Sequence, residues 1–167
     1  ERLALRRKSY DDLDVDLRLG RRAVSLDTDA REVGLEGGDA VSFDGLVIAT
    51  GGHVRERPNQ PRIDGIHTLR TLDDALAIRA ALVAKPRVAV IGAGFIGAEV
   101  AASARQLGLE VTMIEALETP LAQSLGPRVG GILQEVHERR GVRVHCGRRV
   151  EGFGGTDRVE SVLLDDG

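Results

Sequence analysis

Three glycines and one acid are the residues here whose types and spacing could do chemistry. Gly92-Ala-Gly94-Phe-Ile-Gly97 follows the apolar run Val88-Ala-Val-Ile91, and Glu115 stands 18 residues beyond Gly97. The chemistry would be the holding of a dinucleotide. A first glycine makes a tight turn, a second lets backbone approach a pyrophosphate, and a third lets a helix pack closely on a strand. Phe95 and Ile96 would present backbone N–H groups from a helix amino terminus that carries about half a positive charge. Glu115 falls near the ~20-residue offset of the acid that accepts hydrogen bonds from an adenosine ribose. A carboxylate there repels a 2′-phosphate, and Ala116 and Leu117, not an arginine, come next. The pattern therefore predicts NAD over NADP.

Glycine spacing means little unless a strand feeds it and a helix leaves it. Here Arg87 to Ile91 reads as a buried strand and Phe95 to Leu107 as a helix with Ile96, Val100, Ala104 and Leu107 on one face, stopped by Gly108. Glu110 to Ile114 is a second apolar strand. Arg128 to Arg140 reads as a helix with Val129, Ile132, Leu133 and Val136 inward, and Val142 to Cys146 as a third strand. Strand, helix, strand, helix, strand predicts an α/β, Rossmann-like βαβαβ unit with a parallel sheet. Val150 to Phe153 and Arg158 to Leu164, split by Gly154-Gly155-Thr156, add antiparallel strands.

Upstream, Thr71 and Asp74 have the spacing of a capping box, and Leu76, Ala80 and Val83 recur at helical intervals. A helix over Leu72 to Ala84 follows, ended by Pro86. His53 to Asp64, with Pro58 and Pro61, reads as a linker. Before it, Val15 to Leu19, Ala23 to Leu26, Arg31 to Leu35 and Val41 to Phe43 read as short antiparallel strands separated by Asp/Gly turns. Leu46-Val-Ile-Ala49, running into Thr50-Gly51-Gly52, has the pattern of a strand buried on both faces.

Composition narrows the function class. The 167 residues are 42% hydrophobic and 29% charged with 2% aromatics, which suits helix-covered sheets. A net charge of -3, from 23 basic and 26 acidic residues spread along the chain, leaves no basic stripe for nucleic acid. No run approaches the roughly 20 apolar residues of a membrane span, and one cysteine, Cys146, cannot form an internal disulfide. A cytoplasmic location is the default expectation, and an open sheet edge would invite self-association into a homo-oligomer. His53, His67, His137 and His145 have no metal spacing, and Cys146 reads as a small hydrophobe at a strand end. Glu99, two residues past Gly97, reads first as an acid favoured by the helix dipole. No GxxxxGK[ST], HExxH or GxSxG is present, so hydrolase readings have no support.

Leu46-Val-Ile-Ala-Thr-Gly51, Leu69-Arg-Thr71 and Val90-Ile-Gly-Ala-Gly-Phe-Ile-Gly-Ala-Glu99 occur together in one chain. The series resembles the pyridine nucleotide-disulphide oxidoreductase superfamily. Pro120-Leu, Leu125-Gly-Pro127, Val129-Gly, His137 and Gly141-Val point to its ferredoxin reductase branch, the flavoprotein partners of ring-hydroxylating dioxygenases and cytochromes P450. The resemblance implies an NADH-dependent, FAD-containing oxidoreductase that passes electrons to a ferredoxin or another small iron–sulphur protein. Gly92, Gly94 and Gly97 would hold the NADH pyrophosphate and Glu115 the adenosine ribose. Glu99 would lie near the nicotinamide, Thr50 and Gly51 would belong to a turn closing on FAD, and Arg70 would reach the flavin phosphates. Gln123 stands where relatives often carry an arginine, and Gly52 to Pro58 is less apolar than usual. On this resemblance residues 1–66 are part of an FAD-binding domain with its linker, and residues 67–167 most of an NAD(H)-binding domain. Two other functions stay open at this level: an NADH oxidase or disulphide reductase of the same superfamily, and a non-catalytic NAD(H)-binding sensor. The excised piece is not expected to turn over alone.

Overall fold

The computed structural model describes residues 10, 13–55, 57 and 60–166. Pro58 of the expected linker and Gly167 of the last turn lie outside them. The described chain forms two compact units that divide between Gly51 and Gly52.

In the second unit β4 (Val88–Ile91), β5 (Val111–Glu115) and β6 (Val142–Cys146) form a parallel sheet in the order β4-β5-β6. Strand periodicity decides what each face does. Val90, Val111, Met113 and Val142 point to one side and join Ala93, Ala101, Ala104 and Leu109 in the core. Small alanines let α2 (Phe95–Gln106) lie close against the sheet. Ala89, Ile91, Thr112, Ile114, Arg143 and His145 belong to the other side, where they line an open groove of about 1100 Å³. The Arg143 guanidinium meets the Glu110 carboxylate there at 3.3 Å.

α1 (Leu72–Leu82) is held by its cap more than by burial. The Thr71 hydroxyl accepts from the Asp74 N–H at 3.1 Å, and the Asp74 carboxylate accepts from the N–H groups of Thr71 and Arg70 at 2.8 and 2.9 Å. No residue of this helix is buried. β7 (Val150–Gly154) and β8 (Ser161–Leu164) pair antiparallel, and Asp64 forms a bridge to Arg158 beside them. The linker is thereby tied to the hairpin, with Arg57 also donating to the Val150 carbonyl.

α3 (Ala122–Arg139) starts earlier than expected and is broken at Gly126, where φ is 77 and Pro127 follows. Proline suits a first helical turn, so the break is two helices joined at a glycine. The inward set expected for it is also wrong in part. Val129, Ile132 and Val136 are exposed, and Gly130 is the buried position, because the helix seats on the loop before it through that glycine.

The first unit is a meander of β1 (Ala23–Asp27), β2 (Glu32–Leu35) and β3 (Ala40–Ser42). Arg31, expected in β2, has φ 55 and belongs to the preceding turn. Val15 to Leu19 forms no strand. Nor does Leu46 to Ala49, whose Val47 is 87% exposed rather than buried. Its apolar run needs ladder partners and covering layers on both faces, and no described residue of this unit supplies them.

Candidate functional site

The glycine turn sits at the carboxyl end of β4, the end of a parallel sheet at which ligands bind. Gly92 turns the chain with φ 95, a conformation that side chains rarely adopt, and its N–H donates to the Ile114 carbonyl of β5 at 2.8 Å. Gly97 is required by contact: a Cβ there would lie 1.9 Å from the Gly92 carbonyl oxygen. A Cβ at Gly94 would meet nothing within 4 Å, so the outer side of the turn is open to an incoming group.

Gly94 is the N-cap of α2 and no side chain caps the helix. The first-turn N–H groups, those of Phe95 and Ile96 among them, have no side-chain cap. Such a terminus is a ready seat for a phosphate. Phe95 and Ile96 themselves are exposed. The groove over the second face of the sheet reaches Gly92, Ile96 and Gly97.

Glu115, half-buried at the end of β5, closes this arrangement. One carboxylate oxygen accepts the Ala93 N–H at 2.7 Å and the other the Leu117 N–H at 3.0 Å. A carboxylate offers about four lone-pair sites, so acceptor capacity remains for the two hydroxyls of a ribose. Cys146 lies beside Glu115 in the β5–β6 register, where burial first, and then the Glu115 and Glu138 carboxylates, push its thiol up from the ordinary value. That is the condition of an unreactive thiol.

These residues fit a dinucleotide: an open turn, free N–H groups at a helix start, and an acid across the turn. The glycine turn, the helix start and the acid across it are the elements that the sequence pattern named. What the pattern did not reveal is the role of Glu115 in bracketing the turn through the Ala93 N–H. Glu99 needs correction. It is exposed and lies one turn into α2, whose first turn holds no acid, so the dipole reading lapses.

The residues expected on the flavin side lie one set in each unit. Thr50 and Gly51 end the first unit, exposed, with Gly51 at φ 77. Arg70 is exposed in the second unit, where its Nε donates to the Gly52 carbonyl at 3.1 Å.

Comparison with known proteins finds one family and a set of relatives. The pyridine nucleotide-disulphide oxidoreductase family matches residues 5–167. The ferredoxin reductase component of chlorobenzene dioxygenase from Cupriavidus sp. (strain PS12) is 39% identical over 95% of this chain and 39% of its own length. A ferredoxin reductase from Rhodopseudomonas palustris superposes with a TM-score of 0.75 at 37% identity, over 88% of this chain and 37% of that one. Putidaredoxin reductase, in its covalent complex with putidaredoxin, gives 0.75 at 35% identity, over 89% of this chain and 37% of that one. The chain thus spans about two fifths of the curated relative's length.

Proposed function

Because the chain belongs to the pyridine nucleotide-disulphide oxidoreductase family, we propose that it supplies the NADH-binding part of an FAD-dependent reductase whose electron acceptor is a ferredoxin-type iron–sulphur protein. The observation that supports the nucleotide half is the bracket at Glu115, whose carboxylate fixes the glycine turn and keeps acceptor capacity for a ribose. The acceptor half is supported by the relatives, one named as a ferredoxin reductase component and another caught in complex with putidaredoxin.

In this reading NADH and FAD, when bound, would supply the redox chemistry, NADH as the hydride donor and FAD as the carrier able to release electrons singly. The chain's own residues bind and orient. The first-turn N–H groups of α2 take the pyrophosphate, and the bare Gly94 lets it come close. Glu115 accepts from both ribose hydroxyls and repels a 2′-phosphate at short range. Glu99, on the same helix, would serve the nicotinamide end, as the family resemblance implies. Thr50, Gly51 and Arg70 serve the flavin.

Fluorescence titration of the full-length protein with NADH and NADPH tests the reading. The unaltered protein is expected to bind NADH more tightly than NADPH. Glu115→Ala should weaken NADH by about 10- to 100-fold, the scale of hydrogen bonds to a charged group, and narrow the gap between the nucleotides. Equal binding of the two by the unaltered protein, unmoved by Glu115→Ala, would rule the site out.

A further inference from the structure

Ala93, in the middle of the glycine turn, is held on both sides. Ala93 is fully buried; its N–H goes to Glu115 and its carbonyl accepts the Leu121 N–H at 3.0 Å. The second partner is unusual. Leu121 has φ 56, a left-handed conformation costly for a leucine, and only 7% of it is exposed. A residue keeps such a conformation only when its surroundings impose it.

The surroundings are visible. Pro120 is fully buried, and the Thr119 hydroxyl is buried without a hydrogen-bond partner. α3 presses on both. A Cβ at Gly130 would fall 2.3 Å from the Pro120 carbonyl oxygen and 2.3 Å from the Thr119 hydroxyl. One of these obstacles is backbone, so a side chain at 130 cannot be accommodated by a rotamer change. At the next position the case is opposite: a Cβ at Gly131 would meet nothing within 4 Å.

We infer that Thr119–Leu121 is a latch, wedged between α3 and the glycine turn, that sets the plane of the Ala93–Gly94 peptide and so aims the N–H groups from Gly94 onward at the pyrophosphate. Leu121 and Gly130 are positioning residues that act through Ala93. The inference rests on the NADH reading of the turn. Near-attack and binding geometries are sensitive at the ångström scale, and Gly130 sets the latch's position without belonging to the turn.

The test uses the full-length protein and a matched pair. Gly130→Ala and Gly131→Ala raise helix propensity equally, so any difference between them reports the latch. Gly130→Ala should raise the NADH dissociation constant about tenfold or more, and Gly131→Ala should leave it unchanged. A merely structural defect at Gly130 would instead shrink the amplitude of the titration, through loss of folded protein, with the dissociation constant unmoved, and that result overturns the latch. Should Gly130→Ala fail to fold, amide exchange in the unaltered protein decides. The latch requires slow exchange at Leu121 without nucleotide, and exchange as fast as that of exposed loops overturns it. Failure of the unaltered protein to bind NADH overturns the NADH reading and this inference with it, whereas tight NADH binding in Gly130→Ala overturns the latch alone.

Discussion

Among the described residues there are two sheets of three strands, and one of the two has an inside. In β4-β5-β6 the residues of one face meet the alanines of α2, and every residue of the central core cluster belongs to this assembly. In β1-β2-β3 no residue is buried, and Val24 and Leu26 stand open although they have the composition of core strands. The difference is not in the strands' propensity. It is in the crossover: a parallel sheet obliges the chain to return through a helix, which brings its own cover, whereas a meander returns through a short turn and brings none.

The comparison is open to direct attack. The largest effect is expected at Met113, which is 0% exposed: Met113→Ala should cost about 2–5 kcal/mol, while Leu26→Ala, at a site 43% exposed, should cost under about 0.5 kcal/mol. Urea unfolding of the full-length protein measures both. A Leu26→Ala penalty as large as that of Met113→Ala would break the contrast and show that the meander is packed in the whole protein.

A middle-sized effect sharpens the point that α1, with nothing buried, depends on its cap. Thr71→Ala should cost about 1 kcal/mol and speed amide exchange along Leu72–Leu82. The Thr71 and Arg70 N–H groups hold the Asp74 carboxyl below its ordinary value. Its contribution is therefore present above the unfolded value of 3.8 and lost as pH falls through the lower folded one. Unaltered exchange in Thr71→Ala would mean that packing elsewhere, not the cap, keeps the helix.

The smallest effect belongs to His137. Burial on α3 pushes its imidazole below the ordinary 6.5, so the folded chain favours the neutral form. Stability from this group is complete above pH 6.5 and declines as pH falls through the folded value. Melting temperatures at pH 8 and pH 5 should differ less in His137→Gln than in the unaltered protein, and an unchanged difference would show that the histidine is solvated in both states.

What could be read from the sequence follows the same divide. The glycine turn, β4, α2 and β5 were legible because turn, strand and helix signals there coincide with a close-contact requirement at Gly97 and an acid at Glu115. The two compact units part at Gly51–Gly52, a glycine pair just ahead of the proline-containing linker. α3 was half legible: Val129, Ile132 and Val136 form a proper apolar stripe, but a stripe does not say whether anything covers it, and the seating glycine at 130 leaves no pattern. Leu46 to Ala49 misled for the same reason, since an apolar run records what a segment needs and not what it has. Leu121 was beyond reach, because nothing in a leucine announces φ 56.

The tie between the linker and the β7–β8 hairpin bears on the order in which the chain can be built. The core strands and α2 are complete once Cys146 has been synthesised, and their contacts are mostly between neighbours in sequence. Arg57 must wait for Val150, 93 residues downstream, and Asp64 for Arg158. During synthesis on the ribosome, the β4-β5-β6 core can therefore close before the segment leading into it is fastened.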